Sequence, residues 1–471
     1  MDSPSIKQLP KVPGVFAALG PGIVWMAFAQ GSGELIWWPY LIAKYGLTFL
    51  AILIPAALLQ FPLTYEIGRY TLYTGEGIWR GFVKLNKKYA FVMWMVMLVQ
   101  FLWFGAFASA GGTAVAALTD FPAEWTQRGQ ALFWGYASMA VFLGVLVSSK
   151  LVYRSIERIM WVIAVLTVAG LIAACTHPDV VSVLPTFTKG IFGISGDMPR
   201  TWEVGDATVL ITAITFMGLG GFFSLFYSYW VKEKGFGMAH YAAHVIGLLR
   251  GIVPGGVGSA DEVSMEPSAE DRRRLHGWLK ILKIDVGVGI GGNILTTLMM
   301  CLLAYAVLFP KGIIPQEWNI AVVQAKFFEL RWGSVGTMLF YVVAAAFLVD
   351  TWLTSIDALS RVNSDVVMSM FKGAKKKSLS WWYYFFLFIF AGVTAITMPM
   401  AQPGVLILIT GVLSFIGVIL YAVPLWILNY RFLPKHLPDF SRPSRTAQVL
   451  LSAVIVIYAV LLIAFVWVRF F

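Results

Sequence analysis

The sequence predicts an all-α polytopic membrane protein with eleven transmembrane helices. Ten of them form two inverted five-helix repeats, and helices one and six are broken. Three observations carry this reading. The 471 residues are 59% hydrophobic and 13% charged, more apolar surface than a soluble domain can bury. The apolar runs are long enough to span a bilayer, and the basic loops between them alternate sides. Two runs, five spans apart, carry glycine clusters at matching depth.

In chain order the spans fall at approximately 14–42, 46–72, 90–119, 129–148, 157–175, 207–231, 281–309, 334–360, 381–400, 404–430 and 447–468. A span needs ~20 residues, so the longer runs leave room for tilt. Trp381, Trp382, Tyr383 and Tyr384 open the ninth span as an interfacial aromatic belt would. Of the 35 Lys and Arg, 27 fall on the side of the N-terminus and 8 on the other; Lys84, Lys87, Lys88, Arg272, Arg273, Arg274, Lys375, Lys376 and Lys377 are on the richer side. The positive-inside rule puts the N-terminus in the cytoplasm and, with an odd number of spans, the C-terminus outside. The expected location is a bacterial inner (cytoplasmic) membrane. The net charge of +11 belongs to these loops and does not imply a nucleic-acid partner. Met1 to Val12 is polar and the first apolar run is far longer than a signal h-region, so no signal peptide is expected. Cys175 and Cys301 lie in separate apolar runs and read as free thiols.

Span one reads GPGIVWMAFAQGSGELIWWPYLIAKYG from Gly20 to Gly46, with Gly31-Ser32-Gly33 in its interior. Glycine removes helix propensity, and in a bilayer a helix break survives only where it is buried or lines a cavity. Glu34 follows at once, and a carboxylate at that depth is read as functional. Span six reads DATVLITAITFMGLGGFFSLFYSYWVKEK, interrupted by Gly218, Gly220 and Gly221. Gly31 is 13 positions from Lys44, and Gly218 is 12 from Asp206. At 1.5 Å per residue both breaks lie ~18–20 Å below the outer boundary, in helices of opposite direction. That is the pattern of an inverted repeat, about 14–175 against 207–430 within a single transporter domain of 1–471, with 447–468 as an extra helix. For one break, close packing through small residues would explain the glycines. Two at equal depth, one beside an acid, favour a transport site.

The candidate substrate-binding residues are therefore Gln30, Gly31, Ser32, Gly33, Glu34, Met217, Gly218 and Gly220. Glu34, carbonyls freed at Gln30 to Gly33 and the Met217 sulfur form a candidate metal site. Oxygen ligands suit Mg²⁺, Ca²⁺ or Mn²⁺, and a thioether biases towards softer metals. Met217 is equally readable as a gap-filling core residue. Asp285 and Asp350 are candidates for a polar pathway through the bundle. Glu66 with Arg69, and Asp357 with Arg361, are spaced as intrahelical ion pairs. His240 and His244 lack the intervening Glu of a zinc helix and read as a surface face. Residues 238–253 read as an amphipathic helix lying on the inner surface, 261–274 as a charged linker, and 321–331 as a short amphipathic helix outside. No nucleotide loop, nucleophile triad or haem motif is present, so an enzyme is not expected.

The first span also resembles a known family. Gly20-Pro21-Gly22, eight residues, Gly31-Ser32-Gly33-Glu34, nine residues and Lys44-Tyr45-Gly46 match the first helix of the Nramp (natural resistance-associated macrophage protein) family. That helix carries Gly-Pro-Gly, Asp-Pro-Gly-Asn and Lys-Tyr-Gly at the same spacings. Gly112-Thr113-Ala114, Asp285 and NYRFLP at 429–434 are similar too, so the resemblance extends over spans one to ten. It implies a LeuT-like fold and proton-coupled divalent-metal transport. The chain departs from the family at several positions. Gly31 stands for the family's Asp and Glu34 for its Asn. Met217-Gly218-Leu219 stands for Met-Pro-His. Ala106 and Ser109 replace acidic residues, and Ser224 replaces a His. All five histidines (His177, His240, His244, His276, His436) fall in loops. What this implies is a divergent relative whose transport is not tightly proton-coupled unless Asp285 or Asp350 supplies the route.

The expected function is secondary-active transport of a divalent metal cation by alternating access. A small organic cation or other polar solute is the alternative, since the breaks are rich in aromatics (Trp25, Phe28, Trp37, Trp38, Phe216, Phe222, Phe223, Phe226, Tyr227) that hold cations against their faces. A non-transporting, receptor-like relative is the third reading. The expected partners are a small cation and the lipid bilayer, with no cofactor. Oligomeric state is not legible in the sequence.

Overall fold

A computed structural model describes residues 5–148, 152–194, 202–242, 263–265, 268–315 and 322–470; the side chains of residues 32–34 lie outside that set. Strand β1 (Ser5–Lys7) pairs in parallel with β2 (Val263–Met265). Beyond a single turn, α1 (Val15–Ala18), the first span begins with α2 (Pro21–Ala29). Pro21 occupies its first turn, where a missing N–H costs nothing. A π-helical stretch over Gln30–Trp37 follows, then α3 (Trp38–Tyr45). The second span is α4 (Leu50–Thr74), closed by Gly75 in the left-handed conformation (φ 71). It tolerates Pro55 and Pro62 as membrane helices do when neighbours satisfy the freed groups.

A short amphipathic helix, α5 (Ile78–Leu85), leads to the third span. That span is two helices, α6 (Lys87–Phe101) and α7 (Gly105–Thr119), joined by a turn. Then come α8 (Gln127–Ser148), α9 (Val152–Cys175) and α10 (Pro178–Ile191). The sixth span is α11 (Ala207–Thr215) and α12 (Phe226–Lys234). It is followed by α13 (Ala269–Val307), α14 (Lys326–Met370), α15 (Leu379–Thr397), α16 (Pro403–Ile427) and α17 (Arg445–Phe470). Among the described residues, nine helices are long and apolar enough to cross a membrane. The two interrupted spans complete the eleven.

Several boundaries differ from the sequence reading. The seventh span was expected from residue 281, but α13 starts at Ala269. Ser268 caps it by accepting from the Asp271 N–H (3.1 Å), and Glu270 and Asp271 sit in its first turn, where acids favour the helix dipole. The second half of the expected charged linker is thus helix. Of the expected surface helix at 238–253, only a 3-10 turn over Gly237–Tyr241 is described; the rest, His244 included, lies outside the described residues. The expected outer helix is present as the first turns of α14, set off by a kink at Gly333 (φ 57). The amphipathic α5 and α10 were not foreseen.

The inner helix ends are tied to the N-terminal segment. Leu9 N–H donates to Asp271 Oδ1 (3.0 Å), the Trp278 indole donates to the Pro10 carbonyl (3.0 Å), and Tyr241 OH donates to the Gln8 carbonyl (2.8 Å). The eleventh span is joined to the bundle by Gln60 Nε2, which donates to Tyr458 OH (2.7 Å), and by Trp426 Nε1, which donates to Ser452 Oγ (3.0 Å). The expected intrahelical pairs form: Arg69 with Glu66 at 2.5 Å and Arg361 with Asp357 at 2.9 Å.

Candidate functional site

Helical order is interrupted at one level in two spans, in two different ways. In the first, Gly31 and Gly33 weaken helix preference, and the backbone widens into the π-helix while the axis continues. A π-helix pairs each N–H with the carbonyl five residues back. The expected open break, with carbonyls freed at Gln30 to Gly33, is therefore not formed. In the sixth span the break is open. Residues 216–220 leave the helical path, and the chain re-enters through a 3-10 turn over Gly221–Leu225. Gly218 (φ 126) and Gly221 (φ 53) occupy the left-handed region, where a side chain would be strained. A Cβ on Gly221 would also run into the backbone of Ser414 on α16.

The two interruptions face each other. Above, Trp38 Nε1 donates to the Ala213 carbonyl near the end of α11 (3.2 Å). Below, the Phe28 ring packs on Phe223 (5.6 Å between centroids), Phe226 (6.3 Å) and Trp230 (5.8 Å). Phe101 (4.7 Å), Phe216 (6.0 Å) and Phe107 (6.5 Å) surround Phe223 from the other sides. All are buried. The result is a buried aromatic layer at the level of the breaks.

Polar contacts close both ends. On the side that the loop charges predict to be outer, Lys44 Nζ lies 2.7 Å from both Asp206 and Glu203. Asp206 also accepts from Tyr45 OH (2.5 Å) and Tyr40 OH (3.3 Å). On the side predicted to be inner, Asp285 of α13 accepts from the Gly20 N–H (3.2 Å) and from Tyr227 OH on α12 (2.7 Å). Beside it Lys234 pairs with Glu157 of α9 (2.5 Å). Arg361 bridges Asp357 and Glu233, and Tyr383 OH donates to Asp357 (2.6 Å).

The candidate residues do not gather round one cavity. Gln30 Nε2 donates to Thr296 Oγ1 of α13 (3.2 Å), and its Oε1 has no partner. With Leu35, Thr167, Thr296, Phe328 and Val343 it lines a cavity of about 20 Å³, space for about one water molecule. Gly218 faces elsewhere: a Cβ there would meet Gln60 Cγ at 2.9 Å and the Trp25 ring at 3.0 Å. A Cβ on Gly220 would meet the Thr215 carbonyl. Met217 and Gly31 are buried. The side chains of Ser32, Gly33 and Glu34 lie outside the described residues. Of the two pathway candidates, Asp285 is committed to the inner closure, whereas neither oxygen of Asp350 has a hydrogen-bond partner. Where the Nramp resemblance puts acids, Ala106 is buried and Ser109 Oγ donates to the Ala106 carbonyl within its own helix (3.0 Å). Among the described residues, no three His, Cys, Asp or Glu side chains come together as a metal-holding group.

Two polar groups near the breaks were missed. Gln60 leaves its Oε1 unpaired, and Gln100 on α6 leaves both amide atoms unpaired, in fully buried positions. The available signal was a lone polar residue in mid-span, the same signal that singled out Glu34 and Asp350. The Lys44–Asp206 and Arg361–Glu233 pairs join distant spans and left no local signal.

No protein-family model matches the chain. An uncharacterised protein of Pasteurella multocida is 26% identical over 170 residues, which is 36% of this chain and 39% of that protein. The match thus spans well under half of that relative's length. Among solved structures, a manganese transporter of Eremococcus coleocola, in complex with an aromatic bis-isothiourea compound, aligns with a TM-score of 0.62 at 13% identity, over 97% of this chain and 89% of that one. A nucleobase-cation-symport-1 family transporter with bromovinylhydantoin bound aligns with a TM-score of 0.55 at 13% identity, over 99% and 96%. The chain has the LeuT-like fold. At such low identity the likeness carries helix architecture, interrupted first and sixth spans included, and leaves the substrate open. Among the described residues, the buried side-chain atoms without a hydrogen-bond partner are mostly amides, hydroxyls and indole N–H groups, with Asp350 as the acid for which this holds at both oxygens.

Proposed function

We propose that the protein is a secondary-active transporter that moves a small cation by alternating access. It sits in a bacterial cytoplasmic membrane with its N-terminus inside. One observation carries this: two interrupted helices meet in mid-bundle between polar closures at each end. An enzyme or a passive structural protein has no use for that arrangement. Sites of this kind lie where discontinuous helices meet, and access alternates as one helix set rocks against the other.

A divalent metal is the leading substrate. Glu34, in the π-helical stretch, would supply the charge, and Met217, buried in the break of the sixth span, would supply a soft ligand. The likeness to a manganese transporter supports this reading. The aromatic layer around Phe223 favours a second reading, a small organic cation held against ring faces. Uptake into proteoliposomes of Mn²⁺, Fe²⁺, Mg²⁺ and Ca²⁺, set against tetramethylammonium and aromatic amines, separates the two. No flux of any of them would count against the transporter reading and favour a receptor-like relative.

A further inference from the structure

We propose that Asp350 is the residue at which a proton binds and leaves during the conformational cycle, and that the proton is carried while the bundle is closed. The inference rests on the transporter reading for its purpose but on the geometry of α14 for its content. Asp350 is 1% exposed, and neither carboxylate oxygen has a hydrogen-bond partner. The adjacent Thr351 hydroxyl donates to the Phe28 carbonyl of α2, at 3.5 Å. Thr354, one turn further, faces Met160 Sδ of α9 at 4.0 Å, and Trp352 Nε1 donates to Thr394 Oγ1 of α15 at 3.0 Å. The polar neighbours along the helix are thus already engaged.

An ionised carboxylate in such a place is not tolerated without a positive charge on it. Among the described side chains no charged partner faces it; Glu34, on the π-helical stretch that packs against α14, has its side chain outside the described residues. On its own helix, Asp357 is paired with Arg361. From α9, Glu157 is paired with Lys234, and Tyr153 is buried. From α12, Glu233 belongs to Arg361; from α15, Tyr383 belongs to Asp357. From α5, Arg80 is paired with Asp365. The segment of α7 that packs on α14 carries no charge. A metal ion needs several oxygens arranged round it, and among the described side chains there is one carboxyl group here. A proton needs no others.

The position also explains how proton and conformation are joined. Along the same face of α14, Val343 lines the cavity at Gln30 two turns outward, and Asp357 and Arg361 lead to the inner surface two to three turns inward. The Thr351–Phe28 bond ties that face to α2. When α2 separates from α14, water reaches Asp350. The acid O–H breaks, the proton passes to water, and the carboxylate remains until it takes a proton again and the seam closes. This moves coupling away from the positions at Ala106, Ser109 and Ser224.

The test needs no substrate. Full-length protein in lipid nanodiscs is examined by infrared difference spectroscopy between pH 5 and pH 9, as wild type, Asp350→Asn and Asp350→Glu. In parallel, a single cysteine at Thr354→Cys, with Cys175 and Cys301 replaced by Ser, is labelled by a thiol reagent. The expected wild-type spectrum holds the C=O band of a carboxylic acid with no hydrogen bond, absent in Asp350→Asn and shifted in Asp350→Glu. Labelling, taken relative to a freely exposed cysteine at the same pH so that the thiolate's own titration cancels, should slow on acidification, by up to about tenfold per pH unit for one linked proton, and lose this remaining dependence in Asp350→Asn. A band that persists in Asp350→Asn, a wild type without the band, or labelling whose pH dependence is absent or survives the substitution would each overturn the proposal. Failure of every solute in the flux assay would instead sink the transporter reading, and the infrared band would still decide the fate of Asp350.

Discussion

Removing the charge of Asp206 should loosen the outer closure. Its Oδ2 lies 2.7 Å from Lys44 Nζ, with the two side chains 9% and 15% exposed. The same carboxylate accepts from Tyr45 and Tyr40. Asp206→Asn keeps the shape and one acceptor oxygen, so the fold is preserved while a charge-assisted bond becomes a neutral one. A hydrogen bond to a charged group contributes about 1.5–3 kcal/mol and a neutral one about 0.5–1.5. The loss is therefore about 1–2 kcal/mol. Lys44 keeps Glu203 at 2.7 Å, but Glu203 is 67% exposed, and such a surface pair contributes only about 0.2–1 kcal/mol. The ratio of closed to outward-open molecules should fall about five- to thirtyfold. A single cysteine at Thr215, buried at the end of α11, reports this through labelling by a membrane-impermeant reagent from outside, because slow labelling follows the open population. An unchanged labelling rate in Asp206→Asn would show that this pair does not hold the outer side shut.

Other expected outcomes bear on the fold and the proposed site. Gly221→Ala should lower the thermal unfolding temperature by several degrees, since left-handed strain of about 1–2 kcal/mol adds to overpacking of about 1–3 kcal/mol against Ser414. Gly205→Ala, with open space around it, is the control, and equal melting of the two would refute the close approach. If a divalent metal binds at the π-helical stretch, Glu34→Gln should weaken it about tenfold or more in calorimetric titration, from the loss of about 1.5–3 kcal/mol. Gly31→Asp should strengthen it, and Met217→Ala should weaken Mn²⁺ or Fe²⁺ more than Mg²⁺; unchanged binding in Glu34→Gln removes the site assignment for any cation. A protease-sensitive tag after Phe471 should be cut from outside intact cells; protection there would mean that the span count or the charge-based orientation is wrong.

Much of the architecture was legible because it depends on local composition. Apolar length marks a span wherever it occurs, and glycine clusters mark weak helix wherever they fall. The levels of Gly31 and Gly218 could therefore be read by counting residues from Lys44 and Asp206. The start of α13 was missed because the membrane boundary was taken as the helix boundary, whereas the Ser268 cap and the acidic first turn let the helix run on into the aqueous layer. The site was legible only in part. Gln30, Met217 and Gly218 fall at the interruptions, but sequence spacing says nothing of rotation about the helix axis. That rotation turns Gln30 to Thr296 and Gly218 to Gln60 and Trp25.

By itself, then, the sequence determined the class of the protein, the order of its spans and which two of them are interrupted, since each is a property of contiguous residues and of the bilayer as solvent. Tertiary structure alone decided that one interruption is a π-helix and the other an open break. It also decided which acids are paired across spans: Asp285 to Gly20 and Tyr227, and Glu233 to Arg361, while among the described residues neither oxygen of Asp350 is hydrogen-bonded. Glycines of equal propensity permit either backbone, and the choice falls to neighbours such as Ser414 and Phe28. The pairing of a buried charge likewise depends on residues up to hundreds of positions away, brought within 3 Å by packing that no local pattern encodes.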